Sequence, residues 1–247
     1  MSFVITMYVR EGIVMAADSR LTLNTTQTNA QGQTVNVPVP QSDSNYKAFL
    51  TTNNIGILTC GVADIGGVPI AGYIESFISN VLTGNPVTID AVPPLLLQYF
   101  RQFQPIPDTK FYVAGYMDIN GHKEPRVWHI NLVQNSVNRL NPPGQQGANW
   151  GGEIDVLTRL INHLRALDQQ GNLINPLPFY YIPFQYFTLQ DAIDFCIFAI
   201  RSTIDLIRFQ PRVKTVGGPI DVLVIKPDES FWVQRKVLHG ETHSIKE

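Results

Sequence analysis

Residues 3–9 alternate, with Phe3, Ile5, Met7 and Val9 on one side and Val4, Thr6 and Tyr8 on the other, which predicts a β-strand. After Arg10-Glu11-Gly12 the run GIVMAADSRLTL turns apolar again, so the two runs read as a β-hairpin. Residues 24–46 break the pattern. Asn, Gln, Thr and Ser dominate there, Pro38 and Pro40 interrupt, and a long exposed loop or ragged hairpin is expected as an insertion. YKAFLTT and IGILTCG flank Asn53-Asn54, a residue pair that tolerates the positive φ of tight turns, and predict a second hairpin.

The period changes at residue 68. Ile70, Ala71, Ile74, Phe77, Ile78, Val81 and Leu82 fall three and four apart, the spacing of an amphipathic helix. Asp90, with Pro93 and Pro94 in a tolerated first turn, predicts the start of another helix running through Phe100 and Phe103. KFYVAGYMD, KEPRVWHINL and NSVNRLN return to strand character. Gly151-Gly152 precede a predicted helix that aligns Ile154, Leu157, Ile161 and Leu164. Thr188 has the chemistry of an N-cap with Asp191 at the third position, opening a long helix striped by Ala192, Ile193, Cys196, Ile197, Ile200, Ile204 and Ile207. PIDVLVIKP and FWVQRKV close the chain as strands.

Strands, a helix pair, strands, a second helix pair and strands cannot wind a parallel sheet, which needs a helix after each strand. The order predicts an α+β fold: two mostly antiparallel sheets face to face, with helix pairs on the outer faces. No repeat or linker divides the chain, so residues 1–247 are expected to form a single domain. Its length allows a sizeable core.

Composition narrows the partners. Eighteen Lys and Arg against twenty Asp and Glu give a net charge of −2 without a basic run, so neither nucleic acid nor an anionic membrane surface is an expected partner. Charged residues make up only 15% of the chain against a usual ~25%, and part of the surface is expected to be covered by other chains. Two cysteines, Cys60 and Cys196, do not make a disulfide framework. With no basic leader and no apolar run of membrane-spanning length, a cytoplasmic location is expected.

The chemistry begins with exclusions. His239 and His243 sit four apart without a third ligand nearby, so no metal and no cofactor is expected. GVADIGG lacks the Lys-Ser/Thr ending of a phosphate loop, and no GxSxG occurs. The start of the chain is more informative. Ser2 follows Met1, whose removal would leave an α-amine and a hydroxyl on one residue; such an amine, with pKa ~8, can serve as general base near neutrality. Asp18 ends GIVMAAD, where a carboxylate could hold a cation. Lys47 is the candidate cation, whose charge near the Ser2 hydroxyl would ease alkoxide formation. Gly61 ends IGILTCG, where a backbone N–H can approach an oxyanion unobstructed. Taken singly, each of these residues also reads as an ordinary terminus, surface or turn position.

At these residues the sequence resembles the proteasome-type β subunits and their bacterial relatives, members of the N-terminal-nucleophile hydrolases. GIVMAADSRLT is similar to the family's second-strand signature, its Asp sixteen residues after Ser2; Lys47 in KAF is followed after fourteen residues by Gly61 in TCG; and VGGPIDVLVI resembles the closing strand. The resemblance implies a four-layer αββα sandwich. It implies Ser2 as nucleophile, Lys47 as electrostatic activator, Asp18 as its orienter and Gly61 as oxyanion donor, with Leu21, Thr59 and Ala63 lining a moderately small, mainly apolar specificity pocket. The implied activity is a threonine-type endopeptidase acting on peptide or protein, assembled as a homo-oligomeric ring or a related assembly; no unfoldase partner is identified.

The chain departs from the family in several places. The nucleophile is Ser where relatives generally carry Thr, and maturation is expected to need only removal of Met1. The interval from Arg20 to Lys47 is longer. The accessory Ser and Asp that support the terminal amine belong near GANWGGE and RVKTVGG, where Trp150 and Val213 or Val216 fall instead. Residues 168–187, with Phe179, Tyr180, Tyr181, Phe184, Tyr186 and Phe187, read as a second, aromatic-rich insertion: a packed loop, a subunit contact or a substrate-lining surface. Two alternatives therefore stand beside the peptidase: a catalytically silent scaffold of the same fold, and an acylase for a small amide.

Overall fold

The computed structural model describes residues 2–28, 32–84, 87–174 and 178–238; Met1, His239 and His243 lie outside them. The chain opens as expected with β1 (Phe3–Val9) and β2 (Gly12–Ala17), paired Val9 to Gly12 across Arg10-Glu11. The polar stretch then forms a separate two-stranded sheet, β3 (Leu21–Thr28) with β4 (Thr34–Ser42), so the ragged-hairpin alternative holds. β5 (Ala48–Leu50) and β6 (Gly56–Gly61) make the next hairpin, and Asn54 takes φ of 55° in its turn. β7 (Asp64–Ile65) and β8 (Val68–Pro69) form a small ribbon before α1 (Ile70–Phe77), which continues into a π-helical turn over Ile78–Leu82.

α2 (Val92–Arg101) begins at Ala91, with prolines in its first turn. Asp90 does not cap it. Its carboxylate instead accepts the Trp128 indole N–H at 3.1 Å, and the helix ends before Phe103. β9 (Thr109–Ile119), β10 (His122–Asn131) and β11 (Ser136–Arg139) form a meander. Sequence patterning missed β12 (Gly147–Gly152): GANWGG has little strand propensity, and pairing with β1 imposes the extended backbone. α3 (Asp155–Ile161) is correspondingly short. It buries Val156 and Leu157, whereas Ile154 and Leu164, expected on its apolar stripe, are exposed. α4 (Leu189–Phe209) carries the expected capping box, with the Thr188 hydroxyl accepting from Asp191 N–H and the Asp191 carboxylate accepting from Thr188 N–H. β13 (Asp221–Ile225) and β14 (Ser230–Gln234) complete the strands.

Two five-stranded antiparallel sheets result, in the orders β12-β1-β2-β13-β14 and β11-β10-β9-β6-β5. Period-two alternation divides each between two apolar clusters. Val4, Ile13, Met15 and Leu223 of the first sheet meet Ala48, Leu58, Tyr112 and Ala114 of the second. Phe3, Ile5, Val14 and Val222, on the opposite face, pack with Leu157 of α3 and Cys196 and Ile200 of α4. Ile57, Phe111, Val113 and Ile130 pack with Ile74 and Phe77 of α1 and Leu96 and Phe100 of α2. Among the described residues no helix is long and apolar enough to cross a membrane.

Candidate active site

The site lies where β1 begins, β2 ends and β6 ends. Asp18 follows β2, and its fully buried carboxylate is the hub. Oδ1 accepts from Phe3 N–H at 2.9 Å and from Lys47 Nζ at 2.7 Å; Oδ2 accepts from Arg20 N–H at 3.1 Å and Gly217 N–H at 3.0 Å. These four donors satisfy a carboxylate that has left water. It ties the first strand, the Lys47 side chain and the loop after α4 to one point.

Lys47 is itself buried, immediately before β5, and its carbonyl accepts from Thr59 N–H at 3.0 Å. Burial pushes its ammonium below the usual 10.5, while Asp18 opposes that shift. Cys60, next along β6, is also buried, and desolvation raises its thiol to about 11, so at neutral pH it is a protonated neighbour and not a nucleophile.

Ser2 is buried, and its carbonyl accepts from Glu153 N–H at 2.7 Å. Gly152 allows that approach: its φ is 91°, and a Cβ there would stand 1.7 Å from the Ser2 carbonyl oxygen. Gly61 has φ of 123°, and a Cβ would come within 2.3 Å of the Asp108 carbonyl oxygen, so both glycines are required sterically. Ser2, Lys47 and Gly61 line one crevice together with Leu21, Thr59 and Ala63. The structure thus brings all six to one place, with Asp18 bonded to Lys47. Arg20, Asn45 and Ile70 also line the crevice, which makes it mixed in polarity, and among the described residues the Thr59 hydroxyl finds no partner. Its enclosed space is about 10 Å³, room for roughly one water. Next to it, a cavity of about 190 Å³ is lined by Ser2, Cys60, Gly61, Asp108, Lys110 and Gly152.

Sequence reading did not single out the side-chain cluster built on Glu153, whose backbone N–H meets the Ser2 carbonyl. The Glu153 carboxylate accepts from Arg212 at 2.8 Å and from the Thr215 hydroxyl at 2.9 Å, and Arg212 also reaches Asp155. Glu153, Arg212 and Thr215 occupy the two stretches, GANWGGE and RVKTVGG, in which the family's accessory pair was expected. Gly217 is closely packed there as well, since a Cβ would meet the Arg20 guanidinium at 2.5 Å. Among the described residues no group of three or more His, Cys, Asp or Glu is placed to hold a metal ion.

The α+β architecture, with its antiparallel sheets and four helices among the described residues, has counterparts among solved structures. Two solved structures carry the likeness. Anbu, in a mutant form from Hyphomicrobium sp. strain MC1, superposes with a TM-score of 0.55 at 16% identity, covering 96% of this chain and 86% of that one. Anbu (ancestral beta-subunit) from Yersinia bercovieri gives 0.54 at 13% identity, covering 94% and 86%. No family model matches the chain, and no curated protein matches it in sequence.

Proposed function

We propose that the chain is a proteasome-like N-terminal-nucleophile amidohydrolase, a threonine-type endopeptidase in which Ser2 replaces Thr, folded as one four-layer αββα domain over residues 1–247. The observation that carries the reading is the Lys47 ammonium, held on Asp18 while lining the same crevice as Ser2. A buried ion pair of this kind is costly to maintain and adds little stability over apolar packing, so its position beside a hydroxyl supports a chemical role.

With Met1 removed, the Ser2 amine takes the hydroxyl proton and Oγ bonds to the substrate carbonyl carbon. The Lys47 charge stabilises the oxygen as it loses its proton, and the Gly61 N–H donates to the carbonyl oxygen as that becomes an oxyanion. Collapse breaks the C–N bond, the leaving amine takes the proton from the Ser2 ammonium, and water then hydrolyses the ester and restores Ser2. Every proton is carried by the chain, the substrate or water.

The narrow crevice lined by Leu21, Thr59 and Ala63 favours substrates with Gly, Ala or Ser on the acyl side of the scissile bond. Peptide amides varied at that position are expected to be cut fastest with these small residues, in a preparation whose intact mass lacks Met1. Preferred cleavage after bulky basic residues would contradict the pocket assignment.

Assembly is part of the proposal. Phe198, Leu206 and Phe209 of α4 and Tyr180, Tyr181 and Tyr186 of the 168–187 segment are exposed, an apolar surface suited to contact between copies in a cytoplasmic ring. Light scattering at micromolar concentration is expected to return a multiple of 27.7 kDa, and the monomer mass would reject self-assembly.

The replacement of the accessory Ser and Asp favours a second reading, the silent scaffold of the same fold. Complete absence of amide hydrolysis by protein lacking Met1, across the same panel, would select it.

A further inference from the structure

β9 carries a charge where its pattern calls for an apolar residue. Tyr112 and Ala114 of that strand lie in the layer between the two sheets, and period-two alternation puts Lys110 on the same face. Lys110 stands opposite Cys60 in register, and both line the cavity of about 190 Å³ whose wall includes Ser2. Ser2 comes two positions before Val4, which belongs to the same layer, so Ser2 and Lys110 share one face and one cavity. The Lys110 charge is felt at Cys60, where it draws the thiol pKa down against the larger effect of burial. Lys47, Lys123, Lys226 and Lys236 all sit on carboxylates, whereas Lys110 is exposed and makes no ion pair among the described residues. Asp108, the other charged residue of the cavity wall, is not paired with it, and also lines a second cavity of about 390 Å³ with Thr22 and Asp64.

We propose that the 190 Å³ cavity is the leaving-side subsite and that Lys110 is its specificity-determining residue, holding a carboxylate on the residue that follows the scissile bond. The inference rests on the reading of Ser2 as nucleophile and of the crevice at Leu21, Thr59 and Ala63 as the acyl side. Ser2 lines both spaces, so a peptide bond placed at its hydroxyl sends its acyl residue into the crevice and its leaving residue into the cavity. The crevice admits only small groups, whereas the cavity has room for a whole side chain. An unpaired ammonium in its wall is suited to a carboxylate and repels a cationic residue. That carboxylate comes either from an Asp or Glu side chain within a peptide or from a free peptide C-terminus.

The test is a binding measurement, which needs no turnover. Ser2→Ala protein beginning at residue 2 is titrated, with NMR detection at low salt, with N-acetyl-alanyl-aspartic acid α-amide, with N-acetyl-alanyl-alanine and with the neutral N-acetyl-alanyl-alanine amide. At least one carboxylate probe is expected to bind about threefold or more tightly than the neutral one, the size of a partly exposed ion pair. A gain confined to the aspartyl probe assigns the subsite to internal acidic residues, and a gain confined to the free acid assigns it to chain ends. Lys110→Gln in the same background is expected to bring the ratio to one, and Lys110→Glu to favour N-acetyl-alanyl-lysine amide over both carboxylates. Lys110 is exposed, so both variants are expected to keep the urea unfolding midpoint of their parent. Equal binding of the three probes, or a carboxylate preference that survives Lys110→Gln, would overturn the proposal, because the first shows no carboxylate subsite and the second places it at another cation. Absence of amide hydrolysis by wild-type protein lacking Met1 would remove the proposed function and leave these affinities readable, so the two failures are distinguishable.

Discussion

Ser2→Ala is expected to lower kcat/KM for amide hydrolysis by at least about 10³-fold in protein that begins at residue 2, with the urea unfolding midpoint unchanged. The substitution deletes only Oγ. The contacts that seat this residue are backbone ones, Ser2 O to Glu153 N–H and Phe3 N–H to Asp18, and both survive in the variant. A general base without its nucleophile, or an oxyanion donor without an attacking atom, leaves only residual binding and polarisation. Activity retained within tenfold would move the nucleophile elsewhere in the chain.

Lys47→Met is expected to fail twice. Activity falls because no positive charge faces the developing alkoxide, by about 10²–10³-fold if the charge acts as other electrostatic groups do. Stability falls by about 3–5 kcal/mol because the Asp18 carboxylate stays buried without its cation. Its three backbone donors remain, which places the loss towards the lower end. The pH dependence has a definite sign. Burial lowers the folded-state pKa of Lys47 below the unfolded value, so the cost of burying the ammonium is fully present below the folded pKa. That cost is relieved as pH rises from the folded value towards about 10.5, so the stability gap between wild type and Lys47→Met widens across that window. Equal stability at neutral pH would show that the pair does not hold the first strand to the rest of the site.

Much of this architecture is legible in the sequence because burial and period agree. β1 and β2 are buried along their whole length, α4 buries a face that includes Ala192, Ile193, Cys196, Ile200 and Ile207, and the Thr188–Asp191 capping box adds a boundary signal independent of hydropathy. Where one of those signals is missing, reading fails for a nameable reason. β12 is glycine-rich and extended only because β1 pairs with it. β3 and β4 are both largely exposed, so no alternation betrays them. Leu164 has helical spacing from Ile161, yet α3 ends at Ile161 and Leu164 lies beyond it. Of the candidate site, Ser2, Asp18, Lys47 and Gly61 could be picked out because their residue types and strand-end positions are unusual together. Glu153 could not, since a carboxylate near a chain turn is ordinary until the fold pairs it with Arg212 and Thr215.

The central claim is that Ser2, with a free amine, is the attacking residue. The most direct measurement is the mass of the acyl intermediate: protein lacking Met1 is mixed with an activated ester of a small N-blocked amino acid, quenched in acid and mapped by peptide mass spectrometry. The account predicts one acyl group on the N-terminal peptide of the wild type, and none on that peptide in Ser2→Ala or in protein retaining Met1. Acylation of another residue, or equal labelling of the N-terminal peptide in Ser2→Ala, would contradict it.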